Sequence, residues 1–132
     1  MKSEKARLNE ILVAVSAEPE TLIYRNNTGQ AWQGERVRVR AGQKIEIMPG
    51  MILLLNARPI SFGLVGSGDA MGASRGRPVA IEVKTEEGRQ EVDQCNFQVA
   101  WQQAGGLYLL VRSAEEAVAM LRRKPTLDEL LS

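Results

Sequence analysis

Residues 78–111 read PVAIEVKTEEGRQEVDQCNFQVAWQQAGGLYLLV, and their pattern decides the fold class. Residues 78–85 alternate apolar and polar side chains, which predicts a strand. Residues 90–104 have the apolar spacing of a helix, which ends at Gly105-Gly106 because glycine readily takes the left-handed conformation that stops a helix. Residues 107–111 form a short apolar run that predicts a second strand. Because a helix crossover joins the two strands, we expect them to lie parallel in a mixed α/β sheet.

The N-terminal part of the chain predicts one helix and several extended segments. Apolar residues recur at helical spacing over Ser3–Ala17, and Thr21–Tyr24 predicts a short strand. Residues 37–47 alternate apolar and charged side chains on both sides of a turn at Ala41–Gln43, which predicts a hairpin with one apolar face. The run Met51–Leu55 is too short and too apolar for a surface helix, so we expect a buried strand.

The remaining segments complete a single predicted domain over residues 1–132. Five glycines in Gly63–Gly76 predict irregular connections around a short central segment. Ser113 with Glu116, and Thr126 with Glu129, fit the capping-box pattern. We therefore expect a longer and then a short terminal helix, which form a C-terminal helical extension over residues 113–132.

Composition excludes several classes of chemistry. The chain has no histidine, so Ser-His-Asp or Cys-His hydrolysis and His-ligated metals are excluded as its chemistry. Its single cysteine, Cys95, can form neither an internal disulfide nor a structural zinc site, which is typical of a reducing compartment. The sequence contains no apolar run of the ~20 residues that span a bilayer, and its first residues lack a signal peptide's apolar stretch. We expect a cytoplasmic protein without membrane contact.

One segment combines residues that could hold a metal. In a strand, side chains alternate between faces, so Glu82 and Lys84 share one face while Val83 points to the other. If a preceding strand ends near Asp69 and pairs with this one, two carboxylates and a lysine converge at one end of the sheet. Such oxygen ligands bind Mg²⁺, which takes one or two carboxylates together with water and substrate phosphate. The alternative is a solvated strand face with an incidental ion pair.

A longer set of residues resembles the VRR-NUC domain of the PD-(D/E)xK nucleases, which occurs in phages, bacteria and some eukaryotic repair nucleases. The resemblance rests on Ser3-Glu4, Arg25 to Gly29, Arg58-Pro59, Phe62-Gly63, Gly68-Asp69, Val79 to Thr85, Gly88-Arg89, Gln94 with Phe97, Ala104 to Gly106, and Arg112-Ser113. The clearest departure is Gly68, where the family usually has proline; we expect this to relax the local backbone and to leave the ligand in place.

The resemblance implies a restriction-endonuclease-like core, a mixed β-sheet flanked by helices in αβββαβ order, here with an added hairpin. It implies a phage or bacterial enzyme, a metal-dependent endodeoxyribonuclease that hydrolyses phosphodiester bonds in branched DNA such as Holliday junctions. Mg²⁺ would be the cofactor, with Mn²⁺ as a substitute. A homodimer with two sites is the family expectation, and a domain of this size offers little surface for a branched substrate unless it is doubled.

The resemblance also assigns roles to individual residues. Asp69 and Glu82 would be the metal ligands, with the Val83 carbonyl as a third, and Lys84 would position the attacking water and steady charge on the phosphate. Glu4 and Gln94 match further polar positions of the family's site, which makes the catalytic set Asp69, Glu82, Lys84, Gln94 and Glu4.

Gln94 and Glu4 each have a competing interpretation. Phe97 and Trp101 follow Gln94 at i+3 and i+7, which places it on the sheet-facing side of its helix. It could equally be an N-terminal glutamine satisfied by the backbone or by water. For Glu4, the helix dipole alone favours an acid in the first turn.

Nucleic-acid contacts are expected from basic and polar residues near the N-terminal half. Three arginines on one face of the predicted hairpin strand could contact successive phosphates, and two residues of the preceding turn could add contacts: Arg36, Arg38 and Arg40, then Arg25 and Asn26. The alternatives are a solvated hairpin face for the arginines and turn chemistry for the other two. Trp32 and Trp101 are expected in the core rather than as base-stacking platforms.

Two other functions remain open from the sequence. A nucleic-acid-binding module that kept the nuclease fold and lost turnover would bind without Mg²⁺ and cut no substrate. A nuclease that acts on RNA would use the same carboxylates, because metal-assisted hydrolysis suits either backbone.

Overall fold

The computed structural model describes residues 2–123, which form three helices and six strands. In chain order these are α1 (Glu4–Ser16), β1 (Thr21–Arg25), β2 (Gly29–Arg36), β3 (Leu54–Phe62), β4 (Ala70–Ser74), β5 (Arg77–Val83), α2 (Val92–Gln103), β6 (Leu107–Val111) and α3 (Ala114–Arg122). These residues divide into two compact units. Residues 2–27 with 63–123 form the larger unit, and Thr28–Phe62 form the smaller one.

The larger unit is built on a mixed four-stranded sheet. The strand order is β1-β4-β5-β6, with β1–β4 and β4–β5 antiparallel and β5–β6 parallel. The parallel pair joined by α2 confirms the crossover predicted from the sequence. The predicted first helix and the strands at Thr21, Pro78 and Leu107 are also confirmed, with small shifts at their ends. The short segment expected in the glycine-rich stretch is β4.

Helices cover both faces of this sheet. Successive side chains of its strands point to opposite sides, so each face presents its own set of residues to the helices. On one face α1 and α3 pack over β5 and β6 through residues such as Ile11, Ile81 and Leu109, all essentially inaccessible to solvent. On the other face α2 packs through Phe97 against Ala80 and Tyr108. Even-numbered residues of β5 therefore face α2, and odd-numbered residues face α1 and α3.

Local capping explains where the helices begin. Ser3 Oγ accepts a hydrogen bond from Ala6 N at 3.2 Å before α1, and Ser113 Oγ accepts one from Glu116 N at 3.1 Å before α3. Ser113 was the predicted cap. The terminal helix expected from Thr126 lies outside the described residues. None of the helices within residues 2–123 is long and apolar enough to cross a membrane.

The smaller unit is an antiparallel β2–β3 hairpin with a bulge between Gln33 and Glu35. The prediction of strands within residues 37–47 is wrong, because β2 ends at Arg36 and the pairing resumes only at Leu54. The predicted turn is present, since Gln43 N donates to Arg40 O at 3.1 Å. The alternation over residues 37–47 is not accompanied by burial of its apolar side, since Val39 is 44% exposed.

Two burial predictions in the smaller unit are also wrong. Met51–Leu55 is not a buried strand: only its last two residues belong to β3, and Ile52 is 71% exposed. Trp32 is 67% exposed rather than in the core. A short apolar run indicates a preference for burial but does not show that another element is available to cover it. No residue of Thr28–Phe62 is classed as buried.

Candidate active site

The acidic residues lie where β4 begins and β5 ends, on the α2 face of the sheet. Ala70 of β4 pairs with Ile81 of β5, so Asp69 and Glu82 are the next residues outward in this antiparallel register. Strand β4 begins directly after Asp69, whereas the sequence suggested a strand that ends there. The two carboxylates still converge, because the start of β4 lies beside the end of β5.

Asp69 takes the place of a main-chain acceptor at the end of the β4–β5 ladder. Its Oδ2 accepts a hydrogen bond from Val83 N at 2.8 Å. The next residue, Lys84, instead donates its N–H to Val111 O at 3.0 Å on the β6 side. Since the N–H and C=O of one strand residue point to the same edge, the Val83 carbonyl faces the Asp69 side. The predicted third oxygen ligand therefore lies at the same edge as the first.

Glu82 is a buried carboxylate with two hydrogen-bonding partners at one oxygen. It is only 3% exposed. Its Oε1 accepts from Gln94 Nε2 at 2.8 Å and lies 3.3 Å from Lys84 Nζ. Lys84 is itself only 8% exposed. The alternative of a solvated strand face does not describe these two residues.

The surroundings of Glu82 disfavour its charged form. Burial, followed by the neighbouring charge of Asp69, raises the pKa of Glu82 from 4.5 to about 7, and Lys84 opposes the shift. The charge of Glu4 adds a smaller increase. Two carboxylates thus share a site that one lysine does not fully compensate.

Gln94 and Glu4 occupy different positions relative to the carboxylates. Gln94 is in the first turn of α2, and its Oε1 accepts from Glu91 N at 2.9 Å in a capping box. Gln94 therefore fits both interpretations. Its side chain is satisfied by the backbone at the start of α2, and its amide also donates to Glu82 from the sheet-facing side of the helix. Glu4 is exposed in the first turn of α1, and its link to the site is the effect of its charge on Glu82.

Asn26 fixes the segment that carries Asp69. Its Nδ2 donates to Ser67 Oγ at 2.8 Å and to Gly68 O at 2.9 Å, while its main-chain N–H donates to Asp69 O at 2.8 Å. Asn26 thus holds three consecutive residues before β4. The guanidinium of the neighbouring Arg25 donates a hydrogen bond to Asn9 Oδ1.

Gly68 is required by close packing, which corrects the expectation that it relaxes the backbone. A Cβ at this position would lie 2.7 Å from Ile81 O on β5. Real Cβ atoms do not approach a carbonyl oxygen so closely, so in this conformation neither alanine nor proline fits. The absence of a side chain lets the loop lie directly on β5 beside the site.

The arginine row expected in the smaller unit is not formed on one strand face. Arg36 is the last residue of β2, and Arg38 and Arg40 follow in an irregular segment. The prediction failed because it depended on a strand that is absent. All three instead line one open depression of about 910 Å³ within this unit.

The donors present fit a hard divalent cation. Asp69, Glu82 and the Val83 carbonyl offer oxygen atoms, and Mg²⁺ binds through one or two carboxylates and completes its shell with water. Within residues 2–123, no group of three or more His, Cys, Asp or Glu side chains gathers to hold a metal. A cation here would therefore depend on the carboxylate pair, main-chain oxygen and water.

Two features of the site have no clear counterpart in the sequence pattern. Asn26 was interpreted as a turn residue and a substrate contact, whereas it braces the Asp69 loop from 43 residues away. Leu64 and Val65 are 64% and 73% exposed just before the site. The only sign of this exposed pair in the sequence is that two large apolar residues lie inside a glycine-rich loop.

Comparison of the chain with protein-family models and with curated proteins finds no significant match.

Proposed function

We propose that this protein is a Mg²⁺-dependent endonuclease that hydrolyses phosphodiester bonds in branched DNA such as Holliday junctions, on a restriction-endonuclease-like core. The observation that carries the proposal is the convergence of Asp69, buried Glu82 and Lys84 at the end of β5. Lys84 Nζ lies 3.3 Å from Glu82 Oε1, and both side chains are nearly inaccessible. Buried ionisable groups whose pKa is shifted by burial and by a neighbouring charge are candidates for a functional site.

The residues divide the work between ligands and supporting groups. Asp69, Glu82 and the Val83 carbonyl would hold Mg²⁺, or Mn²⁺ in its place, which when bound lowers the pKa of a water and polarises the phosphodiester. Lys84 would steady negative charge on the phosphate and orient the water. Gln94 holds Glu82 in place through its 2.8 Å hydrogen bond and is a positioning residue.

This chemistry suits the composition of the chain. The protein has no histidine, so the proton transfers must use other groups, and carboxylates and a lysine are present at this site. Phosphoryl transfer depends mainly on positioning and electrostatic stabilisation, which carboxylates and a lysine can supply. The proposed activity therefore needs no residue type that the chain lacks.

DNA contacts would come from the arginines of the smaller unit and from the turn before it. Arg36, Arg38 and Arg40 line one depression, although not in a strand row. Replacing the three with glutamine should reduce the slope of log binding constant against log salt by about one unit for each phosphate that is no longer neutralised. An unchanged slope would assign these arginines to a solvated surface.

The assay that tests the activity is cleavage of labelled Holliday-junction, flap, duplex and RNA substrates. With Mg²⁺ we expect nicking of branched DNA, and with EDTA none. Binding to DNA without any cleavage would instead support the catalytically silent nucleic-acid-binding module. Preferential cutting of RNA would retain the site and overturn the substrate.

We also propose that the protein acts as a homodimer. Apolar side chains of the smaller unit are exposed, with Met48 at 67% and Ile52 at 71%, and exposed apolar patches of this kind often mark interfaces. Light scattering at micromolar concentration should give twice the chain mass of 14.6 kDa. A mass near 14.6 kDa would contradict the dimer without bearing on cleavage.

A further inference from the structure

The chain turns back over the side chain of Lys84 directly after β5. Lys84 is the first residue after that strand, and its main-chain N–H still pairs with Val111 O of β6 at 3.0 Å. Gly88 N donates to Thr85 O at 3.1 Å, which closes residues 85–88 into a turn. A Cβ at Gly88 would lie 3.3 Å from Lys84 Cδ and 3.4 Å from Lys84 Cβ. The turn therefore lies against the aliphatic stem of the lysine.

A single guanidinium holds both ends of this turn. Arg112, the first residue after β6, donates from Nε to Thr85 O and from Nη2 to Gly88 O, both at 3.2 Å. The rigid planar fork of an arginine suits two carbonyls that lie side by side. Thr85 and Gly88 are thus joined twice, by their own hydrogen bond and through Arg112.

Arg112 is itself fixed by the two helices that cover this face of the sheet. Its main-chain N–H donates to Glu116 Oε2 of α3 at 3.2 Å, and its carbonyl accepts from Arg7 Nη1 of α1 at 2.6 Å. Arg7 Nη2 also lies 3.2 Å from Glu86 Oε1, a residue of the turn. The turn is therefore tied to both helices, directly through Arg7 and indirectly through Arg112.

Lys84 needs such support because a lysine side chain is long, flexible and strongly hydrated. It gains conformational freedom and hydration when its ammonium leaves the protein for water. Here the ammonium instead lies 3.3 Å from Glu82 Oε1, and the residue is only 8% exposed. One ion pair fixes the tip of the side chain but not the path of its stem. The turn supplies the contact along the stem.

We propose that Arg112 is a positioning residue for Lys84: its guanidinium closes the turn over the lysine stem, and the closed turn holds the ammonium beside Glu82. The proposal deepens the proposed function and rests on it for the part that Lys84 plays at the phosphate. Arg112 acts through main-chain carbonyls and contacts no reacting group. Arg112 and Gly88, which belong to the family resemblance without an assigned role, thereby acquire one.

The first test measures the exposure of the Lys84 amine and needs no cleavage. The folded protein is acetylated with N-hydroxysuccinimide acetate, and mass spectrometry follows Lys84 against the exposed Lys5 of the same molecule. In the wild type Lys84 should react more slowly than Lys5. In Arg112→Gln the ratio of the two rates should rise about tenfold, the effect on a local opening equilibrium of losing one charge-assisted hydrogen bond.

Three further variants separate a local effect from a general one. Arg77→Gln removes an exposed arginine at the start of β5 and should leave the ratio unchanged. Ile11→Val weakens the fully buried core without touching the turn and should also leave it unchanged. Arg112→Lys keeps the charge but loses the fork, so its ratio should lie between those of the wild type and Arg112→Gln. If Arg112→Gln fails to fold, Arg112→Lys decides.

The second test separates positioning from DNA contact. At saturating four-way junction and Mg²⁺, Arg112→Gln should cleave about tenfold more slowly than the wild type, while its affinity for the junction in EDTA stays unchanged. Weaker binding with Lys84 still protected would overturn the proposal and make Arg112 a DNA contact.

Two results of the labelling would also overturn it: an unchanged ratio in both Arg112 variants, or an equal rise in Ile11→Val. Faster labelling of Lys84 together with wild-type cleavage would show that the turn does not position the lysine for the reaction. Faster labelling in a protein that never cuts any substrate would support Arg112 as the residue that holds Lys84 and overturn the nuclease.

Discussion

Gln94 donates a hydrogen bond from Nε2 to Oε1 of Glu82 at 2.8 Å, while its own Oε1 accepts from the main-chain N–H of Glu91 at 2.9 Å. One side chain thus caps α2 and fixes a buried carboxylate of β5. The start of the helix and the orientation of the proposed metal ligand depend on the same amide.

Gln94→Ala should slow Mg²⁺-dependent cleavage by about 10- to 100-fold, the usual effect of losing a partner that orients a metal ligand. Raising the Mg²⁺ concentration should restore part of the rate, because weaker metal affinity is part of the loss. Gln102→Ala, an exposed glutamine on the same helix, is the control and should cleave normally. Equal rates for the two variants would remove Gln94 from the site.

The pH dependence of stability should report Glu82. Its folded pKa of about 7 lies above the ordinary 4.5, so the metal-free folded state binds a proton that the unfolded state releases. The contribution of Glu82 to the free energy of unfolding is therefore present below pH 4.5 and lost as the pH rises towards 7. In urea titrations from pH 4.5 to 8, Glu82→Gln should show a smaller decline than the wild type. The exposed control Glu87→Gln should match the wild-type slope.

Glu18 should show the opposite pH dependence. Hydrogen bonds from Arg122, opposed by burial, lower the pKa of Glu18, and Arg75 adds to the effect. Arg122 Nη2 lies 2.7 Å from Glu18 Oε1, and Arg75 Nη2 lies 3.3 Å from Oε2. This stabilisation is present above pH 4.5 and lost as the pH falls through the lowered folded pKa. Urea midpoints of Glu18→Gln should approach those of the wild type in acid; a gap that stays constant would contradict the interpretation.

Gly68→Ala should destabilise the fold by about 1–3 kcal/mol, the usual cost of forcing extra atoms into a packed site. The added Cβ would meet Ile81 O at 2.7 Å, which is main chain and cannot swing away. At Gly88 a Cβ would lie 3.3 Å from Lys84 Cδ, a less severe approach than at Gly68, so Gly88→Ala should cost less. Urea unfolding decides between them, and equal midpoints would show that the loop moves freely off β5.

The elements that the sequence predicted well are those that contribute side chains to the core of the larger unit. Strand β6 was predicted with its bounds, because Leu107–Val111 is apolar throughout and follows a helix ended by glycine. The α1 helix was predicted for a related reason: its apolar positions recur at helical spacing, and Ile11 and Val15 are fully buried. In both cases the apolar residues that form the sequence pattern are the residues that pack in the core.

The hairpin was misplaced because its strands bury nothing that a pattern could reveal. Strand β3 contains Arg58 and Pro59, and none of its nine residues is classed as buried. Residues 37–47 alternate apolar and charged side chains more regularly, so the strands were predicted there. Their apolar side chains are not buried against any of the described residues. Strands β2 and β3 pair through main-chain hydrogen bonds, and this pairing leaves no buried apolar face in the sequence.

The candidate site could be predicted in its strand part and not in its loop part. Alternation along β5 placed Glu82 and Lys84 on one face, and helical spacing placed Gln94 on the sheet-facing side of its helix. Asn26 and Asp69 are far apart in sequence, and their hydrogen bond depends on the order β1-β4-β5 in the sheet. No local pattern contains that order.

The most direct measurement is the single-turnover rate of Mg²⁺-dependent cleavage of a labelled four-way junction by three variants with matched controls. Asp69→Asn, Glu82→Gln and Lys84→Ala should each abolish cleavage while the protein stays folded, because their proposed roles are electrostatic and local. Asp93→Asn, Glu87→Gln and Lys5→Ala, which change exposed residues of the same types, should cleave as the wild type does. Wild-type rates in any of the first three variants would contradict the assignment of that residue, and wild-type rates in all three would contradict the site.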